Sequence, residues 1–357
     1  MRILIIISDM FGGGAQRVVS RLANSLVEDN DVLITTIKTQ RMYPLDSKVK
    51  LHFFKAPEIP HYSRLGFIGN VLFAYRRMLA LRRQLLVVKK KERPDVTLSF
   101  LNNPNLLNAI TGGGGLKIMS ERNNPRQRGC LYFLKAVFSF FHADKVVFQT
   151  NTVKNMFPWL IRRKGVVIPN PVRVECHASG NSHKIVTMGR LHPQKNHELL
   201  INAFAIFAEK HPSHTLHIYG KDYGGVGLVS LIRQKNLNGK VFLEGFLDNV
   251  HEAIADAEQF VLSSNHEGTP NALLEAMMMG IPCISTDFVG VREMLGDNDA
   301  CVLTPLGDEM ALAKAMESFA DDETLRSKYV RNGCLLAERY SFEKVIPQWK
   351  DLLNASL

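Results

Sequence analysis

Cysteine and tryptophan are scarce in this chain of 357 residues, which has 5 of the first and 2 of the second. Cys130, Cys176, Cys283, Cys301 and Cys334 lie far apart without paired spacing. That excludes a disulfide framework and fits thiols used as small apolar groups in a reducing cytoplasm. No apolar run is long enough to cross a bilayer. The run Cys130 to Phe141 is interrupted by Lys135 and reads as a buried helix. The opening MRILIIISD has one early cation and then five apolar residues, so a first strand is expected there and not a secretory signal. Nucleophile elbow, Walker loop and cysteine–histidine pairing are all missing. His211, His214 and His217 recur every three residues but straddle a proline and a strand, and are not expected to converge on a metal. Asp297-Asn298-Asp299 reads as a turn.

What is present is enough chain for two domains, each with its own core, and 46% hydrophobic residues, as in globular proteins. Charge is divided unevenly. Residues 1–170 hold 27 Lys and Arg against 10 Asp and Glu, a net +17, while residues 171–357 hold 17 against 24, a net −7. Such a split points to a first half that meets something anionic: a membrane surface, a nucleic acid or a phosphorylated acceptor. The long helical pattern over 69–93 mixes apolar residues with Arg76, Arg77, Arg82, Arg83, Lys89, Lys90, Lys91 and Arg93. Trp159-Leu160-Ile161-Arg162-Arg163-Lys164 repeats the mixture, which suits an anionic lipid interface, a solvated basic face being the alternative.

The stretch Asn265 to Pro282, NHEGTPNALLEAMMMGIP, organises the second half. It lies between the strand-length runs Gln259–Ser264 and Cys283–Thr286, and its helix is punctuated by Thr269 as N-cap, Pro270 at the first position, and Gly280 with Pro282 at the end. In an open parallel sheet a ligand sits beyond the carboxyl ends of the strands, where His266 to Asn271 fall, with backbone N–H groups directed at an anion. Glu267 and Glu275 bracket this turn. Amides for phosphate beside carboxylates for hydroxyls suit a nucleotide sugar. In GRLHPQKNH, Arg190 and Lys195 follow a strand and precede a helix. Two cations at a helix N-terminus oppose its dipole, so an anionic diphosphate explains their placement, the arginine acting as a planar fork and the lysine as a point charge. Near the start, Gly12, Gly13 and Gly14 follow the first strand and lead into an amphipathic helix, letting the backbone approach a ligand closely.

Taken together, EGTPNALLE, GRL-x-x-QKN and the glycine loop resemble retaining glycosyltransferases of family 4, and the likeness covers nearly the whole chain. The resemblance implies an α/β, GT-B fold of two Rossmann-like domains with parallel sheets facing a central cleft. It implies an acceptor-binding domain over 1–170, a nucleotide-sugar-binding domain over 171–340, and a closing helix over 341–357 that crosses back to the first. Glu267, Arg190 and Lys195 would be catalytic. Gly13, Gly14, Gly245, Phe246, Gly268, Thr269, Pro270, Asn271, Ala272 and Glu275 would bind the donor, Glu275 at the ribose hydroxyls and Gly245 and Phe246 near the base. Many relatives carry a glutamate where this chain has Gln16. Many also place a histidine where this chain reads Ser-Glu-Arg-Asn-Asn-Pro, so Glu121 and Arg122 are carried as acceptor or sugar contacts.

The implied reaction moves a hexose or N-acetylhexosamine from a nucleotide sugar, UDP-linked by family frequency, to a lipid-linked or glycan acceptor with retention. It would need no metal and no cofactor beyond the co-substrate. Expected partners are the donor, that acceptor and an anionic membrane surface, with the protein peripheral on the inner face of the cell membrane and serving O-antigen, capsule or lipopolysaccharide assembly. Two other readings stand beside it. One is a sugar-nucleotide epimerase of the same architecture; the other is a nucleic-acid-binding protein using the basic first half, although no recognition module is present.

Overall fold

The computed structural model describes residues 1–355 apart from 12, 40–42, 57–65, 123–128, 181, 223–226, 289 and 297, with the backbone alone described at 67 and 68. Gly12, Asn123, Asn124, Pro125 and Asp297 therefore lie outside the described residues. Contacts divide the chain into one unit of Met1–Asn170 with Ile346–Leu357, and a second of Pro171–Val345.

The first unit runs β1 (Arg2–Ile6), α1 (Gly14–Leu26), β2 (Asp31–Thr36), β3 (Lys50–Phe53), α2 (Gly66–Glu92), β4 (Val96–Phe100), α3 (Asn102–Ala109), β5 (Leu116–Ser120), α4 (Cys130–Phe141), β6 (Lys145–Phe148), α5 (Asn151–Asn155), α6 (Trp159–Arg163) and β7 (Gly165–Val167). Its seven strands order as β3-β2-β1-β4-β5-β6-β7, and every pairing is parallel. Continuous burial of Ile3 to Ile6 and of Val96 to Phe100 follows from that, since a parallel sheet is covered by helices on both faces and needs apolar or satisfied residues throughout.

The second unit runs β8 (Lys184–Met188), α7 (His197–Lys210), β9 (Thr215–Tyr219), α8 (Leu228–Gln234), β10 (Val241–Gly245), α9 (Val250–Ala253), β11 (Gln259–Leu262), α10 (Asn271–Met279), β12 (Cys283–Thr286), α11 (Val291–Leu295), β13 (Val302–Thr304), α12 (Glu309–Asp321) and α13 (Glu323–Glu338). Its six strands order as β10-β9-β8-β11-β12-β13, again all parallel. Both sheets reverse strand order beside their first strand, which is the doubly wound arrangement, and ligands gather at such a switch point. The last helix, α14 (Phe342–Asn354), starts in the second unit, and its residues from Ile346 onward group with the first.

Three local expectations are corrected. The Cys130–Phe141 helix is not buried throughout: Ala136, Ser139 and Phe140 are inside, whereas Leu131, Leu134, Phe138 and Phe141 are exposed. Asn102-Asn103-Pro104 forms the start of α3, where Asn102, Asn105 and Asn108 are buried with hydrogen bonds to Tyr132, Ser120 and Ser99. The cations of α2 do not share one solvated face. Lys89 is buried, with Nζ donating to Asn108 Oδ1 at 2.9 Å and Gly113 O at 3.1 Å, and Arg82 Nε donates to Ile110 O at 2.8 Å. Finally, α10 starts one residue later than expected. Pro270 is its N-cap and Asn271 its first residue, while the Thr269 hydroxyl is buried without a hydrogen-bond partner.

Candidate active site

Two loops at the carboxyl ends of the neighbouring strands β8 and β11 meet. The first carries Arg190 and a 3-10 turn, Pro193–Lys195, and its next residue, Asn196, has φ 48 and caps α7 by accepting from the Leu199 N–H. Asparagine tolerates this left-handed conformation better than most residues, which is why NHE can reverse the chain here. The second loop is joined to the first by several bonds. Gln194 Nε2 donates to His266 O at 2.8 Å, the Asn265 N–H donates to Gln194 O at 2.9 Å, and Asn196 Nδ2 donates to Asn265 Oδ1 at 3.0 Å.

At the centre Lys195 Nζ lies 2.6 Å from Glu267 Oε1, and the same oxygen accepts from Ser264 Oγ at 2.6 Å. Their side chains are only 14% and 11% exposed. A charge pair this enclosed is costly to desolvate unless further bonds support it, and Ser264 supplies one. Two close backbone approaches shape the rim. A Cβ on Gly220, which follows β9, would lie 1.8 Å from Gly189 O, and one on Gly290 would lie 2.7 Å from Gly268 O. Only glycine fits at such distances.

His197, beside this loop, was not singled out from sequence. Its ring is buried and its Nε2 lies 3.3 Å from Arg190 O. Burial, aided by the neighbouring Lys195 charge, pushes its pKa down to about 4. It is therefore a neutral prop for the turn between the two expected phosphate ligands. The signal available was the second histidine of HPQKNH at a helix start, which spacing alone does not separate from a surface residue.

The other expected site residues are distributed as follows. Glu275 is buried on α10 with Oε2 3.4 Å from His251 Nε2. Gly245 ends β10 and accepts from the Gly220 N–H at 2.7 Å, and the Phe246 side chain beside it is exposed. Of the amides expected to face an anion, that of Asn271 donates to Thr269 O at 3.0 Å and Pro270 has none, so fewer N–H groups face outward than the spacing suggested. Gly268 and Ala272 flank this turn, Ala272 packing partly into the core.

In the first unit, Gly13 caps α1 and Gly14 starts it. The Gly13 N–H donates to the Tyr43 hydroxyl at 3.2 Å, and Gln16 Nε2 donates to Asp9 Oδ1 at 3.1 Å. Glu121 and Arg122 follow directly on the carboxyl end of β5 and are 1% and 7% exposed. Arg122 Nη1 donates to Asn170 Oδ1 at 2.9 Å and to Ile168 O at 3.3 Å, while its guanidinium lies 5.3 Å from the Trp349 ring centre and 5.7 Å from that of Phe100. Burial lowers its pKa to about 9 despite the adjacent Glu121. Arg122 thus packs against Trp349 of the closing helix α14 and Phe100 of the first sheet.

Residues 174–334 match the model of the family Glycosyl transferases group 1. The chain carries a group 1 glycosyltransferase domain. That domain contains every residue of the joined loops, and the whole chain has relatives that share its length. The GalNAc-alpha-(1->4)-GalNAc-alpha-(1->3)-diNAcBac-PP-undecaprenol alpha-1,4-N-acetyl-D-galactosaminyltransferase of Campylobacter jejuni is 26% identical over 368 residues, 99% of this chain and 98% of that one. The lipopolysaccharide core biosynthesis glycosyltransferase LpsE of Rhizobium meliloti is 26% identical over 358 residues, 96% of each. Among solved structures, Anabaena HepE in complex with UDP and glucose matches with a TM-score of 0.79 at 16% identity, covering 99% of both chains. The expected GT-B glycosyltransferase fold, with two Rossmann-like parallel-sheet domains, is borne out.

Proposed function

We propose that this glycosyltransferase moves a hexose or N-acetylhexosamine from a UDP-linked sugar, with retention and without a metal in the transfer step, to a lipid-linked glycan in surface-polysaccharide assembly. The observation that carries the reading is the enclosed Lys195–Glu267 contact at 2.6 Å, which couples the two loops beyond β8 and β11. A diphosphate held by Arg190 and Lys195 would sit beside the carboxylate that meets the sugar. The leaving charge is stabilised electrostatically by these cations and the amides of Gly268, Thr269 and Ala272, in a position fixed before the donor arrives. Glu275 on α10 contacts the ribose, and Gly245 and Phe246 border the base. The acceptor hydroxyl attacks on the face the nucleotide leaves, and the departing phosphate takes its proton. The first domain, with Gly13 and Gly14 at its glycine turn, takes the acceptor.

Support for the acceptor class comes from the Campylobacter relative, whose name specifies an undecaprenol-linked glycan, and the Rhizobium relative, whose name specifies lipopolysaccharide core biosynthesis. No helix of the described residues is long and apolar enough to cross a membrane. We place the chain at the inner membrane surface as a peripheral protein. Supporting this, α4 exposes Leu131, Leu134, Phe138 and Phe141, and α6, packed against α4, exposes Trp159 and Leu160 beside Arg162 and Arg163. Apolar side chains flanked by cations suit the headgroup region of an anionic leaflet.

The test incubates the purified chain with a panel of UDP-sugars and undecaprenyl-diphosphate-linked glycans. Transfer with an α-linkage, read by NMR of the product, is the expected outcome. Epimerisation or hydrolysis with no transfer to any acceptor in the panel would overturn it.

A further inference from the structure

At the opposite ends of the second domain's strands, β9, β8 and β11 are hydrogen-bonded neighbours that begin almost level, with Lys184 beside Thr215 and Gln259 beside Ile185. The residue immediately before each strand carries a metal-binding side chain: His214 before β9, His183 before β8 and Glu258 before β11. The sequence spacing of His211, His214 and His217 concealed this, because His214 turns to residues 31 and 44 positions away (214 − 183 and 258 − 214). Glu258 Oε2 lies 3.4 Å from His183 Nδ1 and 3.3 Å from His214 Nε2, and the three donor atoms all fall within 4.8 Å of one another.

Those two separations match a tetrahedral metal centre. With metal–ligand bonds of about 2.0–2.1 Å, the edge between two ligands of a tetrahedron is about 3.3–3.4 Å. His214 is 4% exposed; its Nδ1 has no hydrogen-bond partner, and its Nε2 faces the Glu258 carboxylate at 3.3 Å. A buried imidazole nitrogen turned to a carboxylate oxygen that a second histidine also faces is placed to share one cation with both. The remaining Glu258 oxygen is held by Arg326 Nη1 at 3.3 Å, which fixes the carboxylate with Oε2 turned to the histidines. On the other side, His183 is 66% exposed and borders a shallow pocket lined by Ser182, Ser213, Thr215 and Asp256, so water has access to a fourth position.

We propose that His183, His214 and Glu258 bind one zinc ion, completed by water, which staples the amino ends of three adjacent strands. Two imidazoles with one carboxylate favour zinc over magnesium or calcium, which select oxygen ligands. The ion has no part in sugar transfer, since Lys195 and Glu267 lie beyond the carboxyl ends of β8 and β11. Because the site does not exist in the unfolded chain, zinc raises stability in proportion to its occupancy.

The test uses the full chain stripped with a chelator, titrated with Zn2+ alone and followed by calorimetry and thermal unfolding, with Co2+ absorption as a check of tetrahedral geometry. Expected are one Zn2+ per chain at micromolar or tighter affinity and a rise in Tm. His183→Ala, a change at an exposed side chain, should weaken binding by about tenfold or more, leave the melting of the metal-free protein unchanged, and preserve sugar transfer. Glu258→Gln should remove the tetrahedral Co2+ spectrum. Failure to bind Zn2+, or binding that His183→Ala leaves intact, overturns the proposal.

Discussion

The two domains share a strand order yet use their cations oppositely. In the first, which holds the net +17, Lys89 and Arg122 are buried and serve structure, one bonding loop carbonyls and the other wedged between Phe100 and Trp349. In the second, net negative, Lys195 is kept at a strand end against Glu267. Net charge thus located neither function nor structure by itself. What separates the two uses is the partner: carbonyl oxygens and rings for a structural cation, a carboxylate in a loop for the one we propose meets the donor's diphosphate.

The largest expected effect tests the functional side of this contrast. Lys195→Ala and Glu267→Ala should each lower the transfer rate by about a hundredfold or more, the usual result of removing one preorganised charged group, with circular dichroism unchanged. Turnover near the wild-type rate in either variant would remove the basis for treating this pair as functional. On the structural side, Arg122→Ala should leave the transfer chemistry in place but loosen α14. Trp349→Ala, at a fully buried ring, should cost about 3–5 kcal/mol of first-domain stability. Thermal unfolding and limited proteolysis at the carboxyl end would measure both.

Two pH effects of the same sign, in separate pH windows, sharpen the comparison. Burial holds the Lys89 ammonium down at about 7 from an ordinary 10.5. The unfolded chain therefore binds the extra proton between those values, and first-domain stability should rise as pH increases from about 7 towards 10, by up to about 5 kcal/mol. Lys89→Met should flatten that rise. His197 is held near 4 against 6.5, so second-domain stability is complete above 6.5 and should fall as pH drops towards 4, by about 3 kcal/mol. His197→Gln should abolish the slope, and an unaltered slope would show that another group carries it. The smallest effect concerns the surface: replacing Leu134 and Trp159 with serine should reduce flotation with anionic vesicles severalfold while leaving stability nearly unchanged.

Much of this architecture was readable because apolar runs of strand length alternate with helical patterns, and both motif loops fall at strand ends, so EGTPN and GRL-x-x-QKN were brought together as expected in position. Side-chain direction was harder to read. Lys89, Lys90 and Lys91 are three identical letters in a row until their helix is set on its sheet; Lys90 and Lys91 are then exposed while Lys89 turns inward to Asn108. The α4 run is apolar on all sides, so periodicity could not reveal that half of it faces outward. The one-residue shift at Thr269 arose because threonine and proline are both good helix-start residues, and their order fixes only the neighbourhood of the cap.

The contact between Gly220 and Gly189 carries a lesson for redesign. Where two main chains touch, selection from a random library should return glycine at 220 almost without exception, whereas the exposed Phe246 side chain has room for replacement. Attempts to change which nucleotide this scaffold accepts are best begun among such outward side chains, leaving the glycine rim untouched.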